Sequence, residues 1–186
     1  MKQQIVSDDV LVQDARQGDK DAFKKIVIKY ESQVAATVIG MLGPGPVAEE
    51  VGQDVFIRFY KSLGQFQGRS SLGTYLTRIA INLSLNAIKK QKRSQKLRFS
   101  NPFESQPQDP SDGKEQERRR DINELVQFAL QQLRPEFRSV VVLRLVDGYS
   151  TEETAKMLNI PVGTVLSRLA RGQKKMRELI KQVESL

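Results

Sequence analysis

The sequence predicts an all-α protein: two small helical domains joined by a flexible linker, the C-terminal one a helix-turn-helix. Three observations predict this. Apolar residues recur at helical spacing along most of the chain. That periodicity lapses between Ser94 and Arg120, where Ser100-Asn101-Pro102 and Gln106 to Gly113 are rich in turn formers and poor in apolar side chains. Near the C-terminus, two helical segments flank Asn159-Ile160-Pro161, a break that proline enforces.

Each element carries its own signals. Ser7 suits the N-cap of a short helix that Gly18 stops, and Asp19 caps the next. That second helix carries Phe23, Ile26, Val27, Tyr30, Val34 and Val38 at helical spacing and ends near Gly43. Gly43-Pro44-Gly45-Pro46 is a rigid turn, and Pro46 fits the first turn of a third helix running to about Leu63. Val47, Ala48, Val51, Val55 and Phe59 form its core stripe. A loop, Gln65 to Ser71, precedes a long fourth helix that starts near Leu72 and runs into a basic stretch. Beyond the linker, Ile122, Leu125, Val126, Ala129 and Leu133 restore the helical period, and Pro135 opens a helix reaching Val146. Ser150-Thr151-Glu152-Glu153 is a capping box for the short helix to Leu158. A new helix then starts at Val162 to Thr164. The domains are expected at 1–93 and 121–186, with 94–120 as the linker.

Composition narrows the function. The 186 residues contain no cysteine and no histidine, which removes disulfides, thiolate or imidazole metal sites, the commonest general base and the best nucleophile. Neither catalytic residues nor a metal nor a cofactor is expected, and the chain is not expected to be an enzyme. Val140 to Leu143, the longest apolar run, ends at Arg144, so no membrane insertion is expected. Met1 to Val6 lacks the apolar core of a secretory signal, which points to the cytoplasm.

The net charge of +8 favours a polyanionic partner, and its placement is more telling than its size. Lys89, Lys90, Lys92, Arg93, Lys96 and Arg98 share an acid-free stretch, and Arg168, Arg171, Lys174, Lys175 and Arg177 form a second cluster. On a helical wheel, Ser167, Ala170, Arg171 and Lys174 oppose the core face Val165, Leu169, Met176 and Ile180, with Arg168 and Lys175 at its flanks. Such a helix suits a DNA groove, Arg171 being the best placed to grip a guanine. Arg78, Asn82, Asn86, Lys89 and Arg93 line one edge of the fourth helix, suiting a nucleic-acid strand. On the third helix, Glu49, Gln53, Phe56, Ile57 and Tyr60 form an outward face of mixed character, fit for a partner helix. Each face also has a bland reading, as a solvated edge or a surface covered within the domain.

Taken in this order, the pieces resemble the extracytoplasmic-function group of bacterial sigma factors. The resemblance rests on Ala48 to Phe56, Phe66 to Asn82, Leu133 to Arg138 and Pro161 to Arg171. It implies that the third helix, through Glu49, Glu50, Gln53, Phe56, Ile57 and Tyr60, docks on the β′ clamp helices of core RNA polymerase. It further implies that the loop Phe66, Gly68, Arg69, Ser70, Ser71 captures a flipped base of the −10 element. Asn82 would read that element, and Arg78, Asn86, Lys89, Lys90 and Arg93 would hold its strand. Ser167, Arg168, Ala170, Arg171, Lys174 and Lys175 would meet the −35 duplex. Promoter DNA and core polymerase, including the β flap, are the implied partners, and the group admits an anti-sigma factor. Tyr75 stands where the group usually has tryptophan, Leu166 where a basic residue often precedes the serine, and Glu50 where aspartate is usual. A stand-alone helix-turn-helix regulator, acting without polymerase, is the alternative reading.

Overall fold

Helix α2 (Lys20–Leu42) is the axis of the molecule, a computed structural model that describes residues 7–97 and 114–184. Its N-terminus is closed by Asp19, whose carboxylate accepts from the Asp21 and Ala22 amides. One of its faces buries Ile26, Tyr30, Val34 and Val38 against three helices: α1 (Asp8–Arg16), α3 (Pro46–Ser62) and α4 (Leu72–Leu97). Phe59 of α3 and Leu72, Leu76 and Ala80 of α4 complete this core. Each large aliphatic or aromatic side chain buried there stabilises the fold by roughly 1.5–3 kcal/mol. Val47, expected in the core stripe of α3, is instead exposed, because the helix enters the packing only from Ala48 onward.

The C-terminal module begins with α5 (Lys114–Gln132), so both α4 and α5 extend into the segment expected to be linker; the rest of that segment lies outside the described residues. Pro135 opens α6 (Pro135–Val141), as its fixed φ allows. The single helix expected to Val146 changes pitch: Val142–Val146 is a π-helical segment, closed by the Asp147 amide donating to the Val142 carbonyl. Helix α7 (Thr151–Leu158) and helix α8 (Val162–Glu184) follow. Their small core holds Val140, Ala155 and Val165, and Gly172 of α8 lets the helix lie directly on Val141 of α6.

The two modules are packed on each other. Met41, Ile81 and Ile88 of the first share a buried cluster with Leu130, Leu133, Val141, Val142, Leu143 and Met157 of the second. Gly40 makes the close approach: a methyl there would sit 3.0 Å from a Val142 methyl. Arg138 crosses the seam. Its guanidinium donates to the Met41 carbonyl at 2.6 Å and to the Gln131 and Leu133 carbonyls, so one buried cation serves the exposed carbonyl ends of α2 and α5.

Candidate nucleic-acid interface

The turn between α3 and α4 is held by contacts that its own sequence does not announce. A 3₁₀ turn, Leu63–Gln65, follows α3, and Arg16 of α1 donates from Nε to the Leu63 carbonyl at 2.9 Å and from Nη2 to the Phe66 carbonyl. Phe66 is buried, with edge-to-face contacts to Phe59 and Tyr75 at 6.1 and 5.0 Å between ring centroids. Its ring packs beneath the loop and anchors it. Beyond it, Gly68 adopts φ +64°, a left-handed turn that glycine tolerates. Gly68, Arg69, Ser70 and Ser71 are exposed, and the Ser71 hydroxyl accepts from the Thr74 amide to cap α4.

Behind this loop lies a cavity of about 350 Å³, lined by Asp8, Asp9, Phe66, Gly68, Ser70, Ser71 and Leu72. Asp8 is already engaged, accepting from Tyr30 Oη and Lys29 Nζ at 2.6 Å each. Burial and the Asp8 carboxylate raise the Tyr30 phenol well above its ordinary value, so it stays a donor. Asp9 is exposed at the rim. The acidic contribution from α1 and the bracing by Arg16 escaped the sequence reading, because both reach a loop some fifty residues away.

Arg78, Asn82, Asn86, Lys89, Lys90 and Arg93 all lie exposed along α4, running from the cavity side toward its C-terminal end. At 1.5 Å per residue they span roughly 22 Å. On α3, Glu49, Glu50, Gln53, Ile57 and Tyr60 are exposed, with Ile57 and Tyr60 each half open. Phe56 differs: it is partly buried, packed against the N-terminal core.

In the C-terminal module the capping box forms as the spacing predicts. Glu153 donates its amide to Ser150 Oγ at 3.1 Å, and its carboxylate accepts from the Ser150 amide at 2.8 Å. Those two bonds hold the Glu153 carboxyl below its ordinary range. Asn159 closes α7 in the left-handed region at φ 52°, and α8 starts after Pro161. Ser167, Ala170, Arg171, Lys174 and Lys175 are exposed on α8, while Arg168 is half-buried at the edge of that face. Ser167 donates to the Thr164 carbonyl, so its hydroxyl meets anything outside as an acceptor.

Two family models match the chain in register with these modules: Sigma-70 region 2 over residues 26–94 and Sigma-70 region 4 over residues 123–176. The chain is 33% identical to the RNA polymerase sigma-H factor of Pseudomonas aeruginosa, covering 89% of this chain and 90% of that protein. It is 31% identical to the ECF RNA polymerase sigma factor SigW of Bacillus subtilis, over 92% of this chain and 96% of that one. The chain belongs to the extracytoplasmic-function group of RNA polymerase sigma factors.

Solved structures agree on the fold of this sigma factor. CnrH, in complex with the cytosolic domain of CnrY, superposes with a TM-score of 0.68 over 94% of this chain and 97% of that one, at 22% identity. The sigma factor RpoE of Bartonella quintana, in complex with the anti-sigma factor NepR, gives 0.68 over 86% and 96%, also at 22%. The stand-alone regulator left open by the helix-turn-helix alone gives way, because the sigma relatives match 89% and 92% of the chain and both modules carry sigma-family matches. Sigma factors are initiation factors and not catalysts, and no described helix is long and apolar enough to cross a membrane.

Proposed function

We propose that this sigma factor directs core polymerase to promoters by gripping two DNA elements with surfaces on separate modules. The observation that carries this reading is the pairing of an exposed basic face on α8 with a pocket and a basic edge on α4. On α8, Arg171 reads a base of the −35 duplex, while Arg168, Lys174 and Lys175 hold phosphates. In the first module, the cavity behind Gly68 to Ser71 takes one extruded base of the −10 element. Extruding a base costs a few kcal/mol of stacking and pairing, which a fitted pocket offsets. Asn82, Asn86 and the cations of α4 then hold the unpaired strand. Residues 1–93 and 121–186 are the two working domains of this reading.

The outward face of α3 meets the β′ clamp helices of core polymerase, and the apolar groove of Leu145, Met176 and Ile180 suits contact with the β flap. An anti-sigma factor as inhibitor and a cytoplasmic location follow from the same reading. The test is run-off transcription together with a gel shift of promoter DNA in the presence and absence of core polymerase. Initiation and a supershifted complex only with core are expected; a tight shift by the chain alone, unchanged by core, rejects it. Because Phe56 supports the fold, docking is best probed with Gln53→Ala and Ile57→Ala. That pair is expected to cut core capture in a pull-down several-fold with an unchanged circular dichroism spectrum, and undiminished capture removes the docking assignment.

A further inference from the structure

The first turns of α8 carry two large apolar side chains that the fold itself does not use. Leu166 is 53% exposed and Val162 41% exposed, and neither belongs to a buried cluster among the described residues. The core side of the same stretch is already filled by Val165 and Leu169. By helical geometry Leu166 and Arg171 form the two shoulders of the outward face, with Ser167 and Ala170 between them. An added Cβ at Gly163 would meet nothing within 4 Å, so the outer surface of this turn is open and low.

The surroundings of Leu166 are cationic. No acid stands between Glu153 and Glu178, whereas Lys156, Arg168, Arg171, Lys174, Lys175 and Arg177 all do. Such a surface attracts a polyanion. An uncharged leucine within it forgoes a phosphate, and it gains only by meeting an apolar patch on that same polyanion. The major groove of DNA presents one, the C5-methyl of thymine. Ser167 favours the same base pair. Its hydroxyl hydrogen is spent on the Thr164 carbonyl at 3.1 Å, which leaves lone pairs facing outward for a donor. An A·T pair offers the adenine N6 donor and the thymine methyl together, while a G·C pair offers a donor and no methyl.

We infer, resting on the promoter reading above, that Leu166 is a specificity-determining residue of the −35 contact, packing on a thymine methyl while Ser167 accepts from adenine. Val162, one turn earlier, continues the apolar shoulder. Leu166 and Arg171 are five residues apart, roughly 7.5 Å along the helix, so the thymine lies about two base-pair steps from the guanine that Arg171 grips. Helix α8 thus reads by apolar contact at its first turns and by charge further on.

The test removes the methyl and nothing else. Holoenzyme reconstituted from the chain and core polymerase selects among promoter duplexes randomised across the −35 element, and the bound DNA is sequenced. A thymine near the Arg171-dependent guanine is expected. Replacing that thymine by deoxyuridine, which pairs alike but lacks the methyl, should weaken promoter binding about fourfold, the worth of one buried methyl. Leu166→Ala should bind the thymine and deoxyuridine promoters equally. Leu166→Lys should lose the preference too, and its binding should fall more steeply with salt, as an added phosphate contact requires. Because Leu166 is exposed, neither variant removes a core side chain.

A deoxyuridine penalty that survives Leu166→Ala overturns the inference, and so does a selection that returns no thymine. A Leu166→Ala variant that keeps the thymine preference but captures less core polymerase in a pull-down overturns it as well, and assigns the leucine to a protein contact. Those outcomes leave the guanine preference of Arg171 standing. A wild-type holoenzyme that selects no −35 sequence at all rejects the promoter reading, and this inference falls with it.

Discussion

Arg171 and Arg138 show how differently one residue type works at two places in this molecule. Arg171 is exposed on α8 and has a planar, five-donor head free to meet a guanine edge. Replacing it by alanine is expected to cost roughly 1–3 kcal/mol of discrimination at one base of the −35 element, seen as relaxed preference in transcription from promoters varied at that position. An equal loss across all positions would make it a phosphate contact. Arg138 is buried and meets no carboxylate in the described structure; carbonyl oxygens at two helix ends solvate it instead. Burial lowers its pKa to about 10, still far above neutral, so it stays a cation at the seam. Arg16 is a third kind, an exposed residue whose donors shape the loop that forms the cavity.

At the scale of the element, α8 is the piece whose position decides what the C-terminal module can read. It is held against α6 at Gly172, where an added Cβ would come within 2.7 Å of a Val141 methyl. Alanine gains about 1 kcal/mol in helix propensity over glycine, but overpacking a tight contact costs about 1–3 kcal/mol. Gly172→Ala is therefore expected to destabilise the chain by up to about 2 kcal/mol in urea unfolding. In that background, Val141→Ala should cost less than it does in the wild type, because it relieves the clash; additive costs would show that the contact is not tight. The π segment after α6 matters in the same way. It is closed by the i→i+5 bond from the Asp147 amide to the Val142 carbonyl, and Asp147 and Tyr149, at its end, both meet α2.

For the whole molecule, docking of the two modules is linked to pH through Asp147. Burial pushes its carboxyl up from 3.8 to about 6, against a smaller opposing pull from the Thr37 hydrogen bond. Around it, α2 supplies the uncharged Thr37, α4 supplies Thr77 to the same seam, and Arg144 on its own segment is engaged by the Tyr149 carbonyl. A protonated Asp147 can donate to Thr37 while Thr37 donates to the Gln33 carbonyl, which removes the competition for the single Thr37 hydrogen. Because the raised pKa belongs to the docked form, docking is unpenalised below about pH 3.8 and loses strength as pH rises toward 6. Above that the penalty is complete. Energy transfer between dyes at Glu31→Cys and Glu152→Cys, one on each module, is thus expected to be higher at pH 5 than at pH 7 when Asp147 is present. Asp147→Asn in the same labelled chain should keep the modules docked equally at both; an Asn variant that keeps the parent's pH response assigns the effect to another group.

Much of this was legible in the residues themselves. Caps at Ser7, Asp19 and Ser150, the proline at 161 and the apolar periods delimit helices within a few residues, because those signals act within one or two turns. The charged faces of α4 and α8 follow from the same period, since whatever opposes a buried stripe must face water. What the sequence alone determined is therefore the helices, their amphipathic faces and the order that marks the family. Only the tertiary structure decided that Phe66 is buried, that Arg16 braces the loop, that Phe56 packs partly against the core and that the modules close on each other. The brace and the seam hang on pairs 47 to 116 residues apart, such as Arg16 with Leu63 and Gln33 with Tyr149. No local pattern encodes such partners, because each is chosen by how whole helices stack and not by its neighbours along the chain.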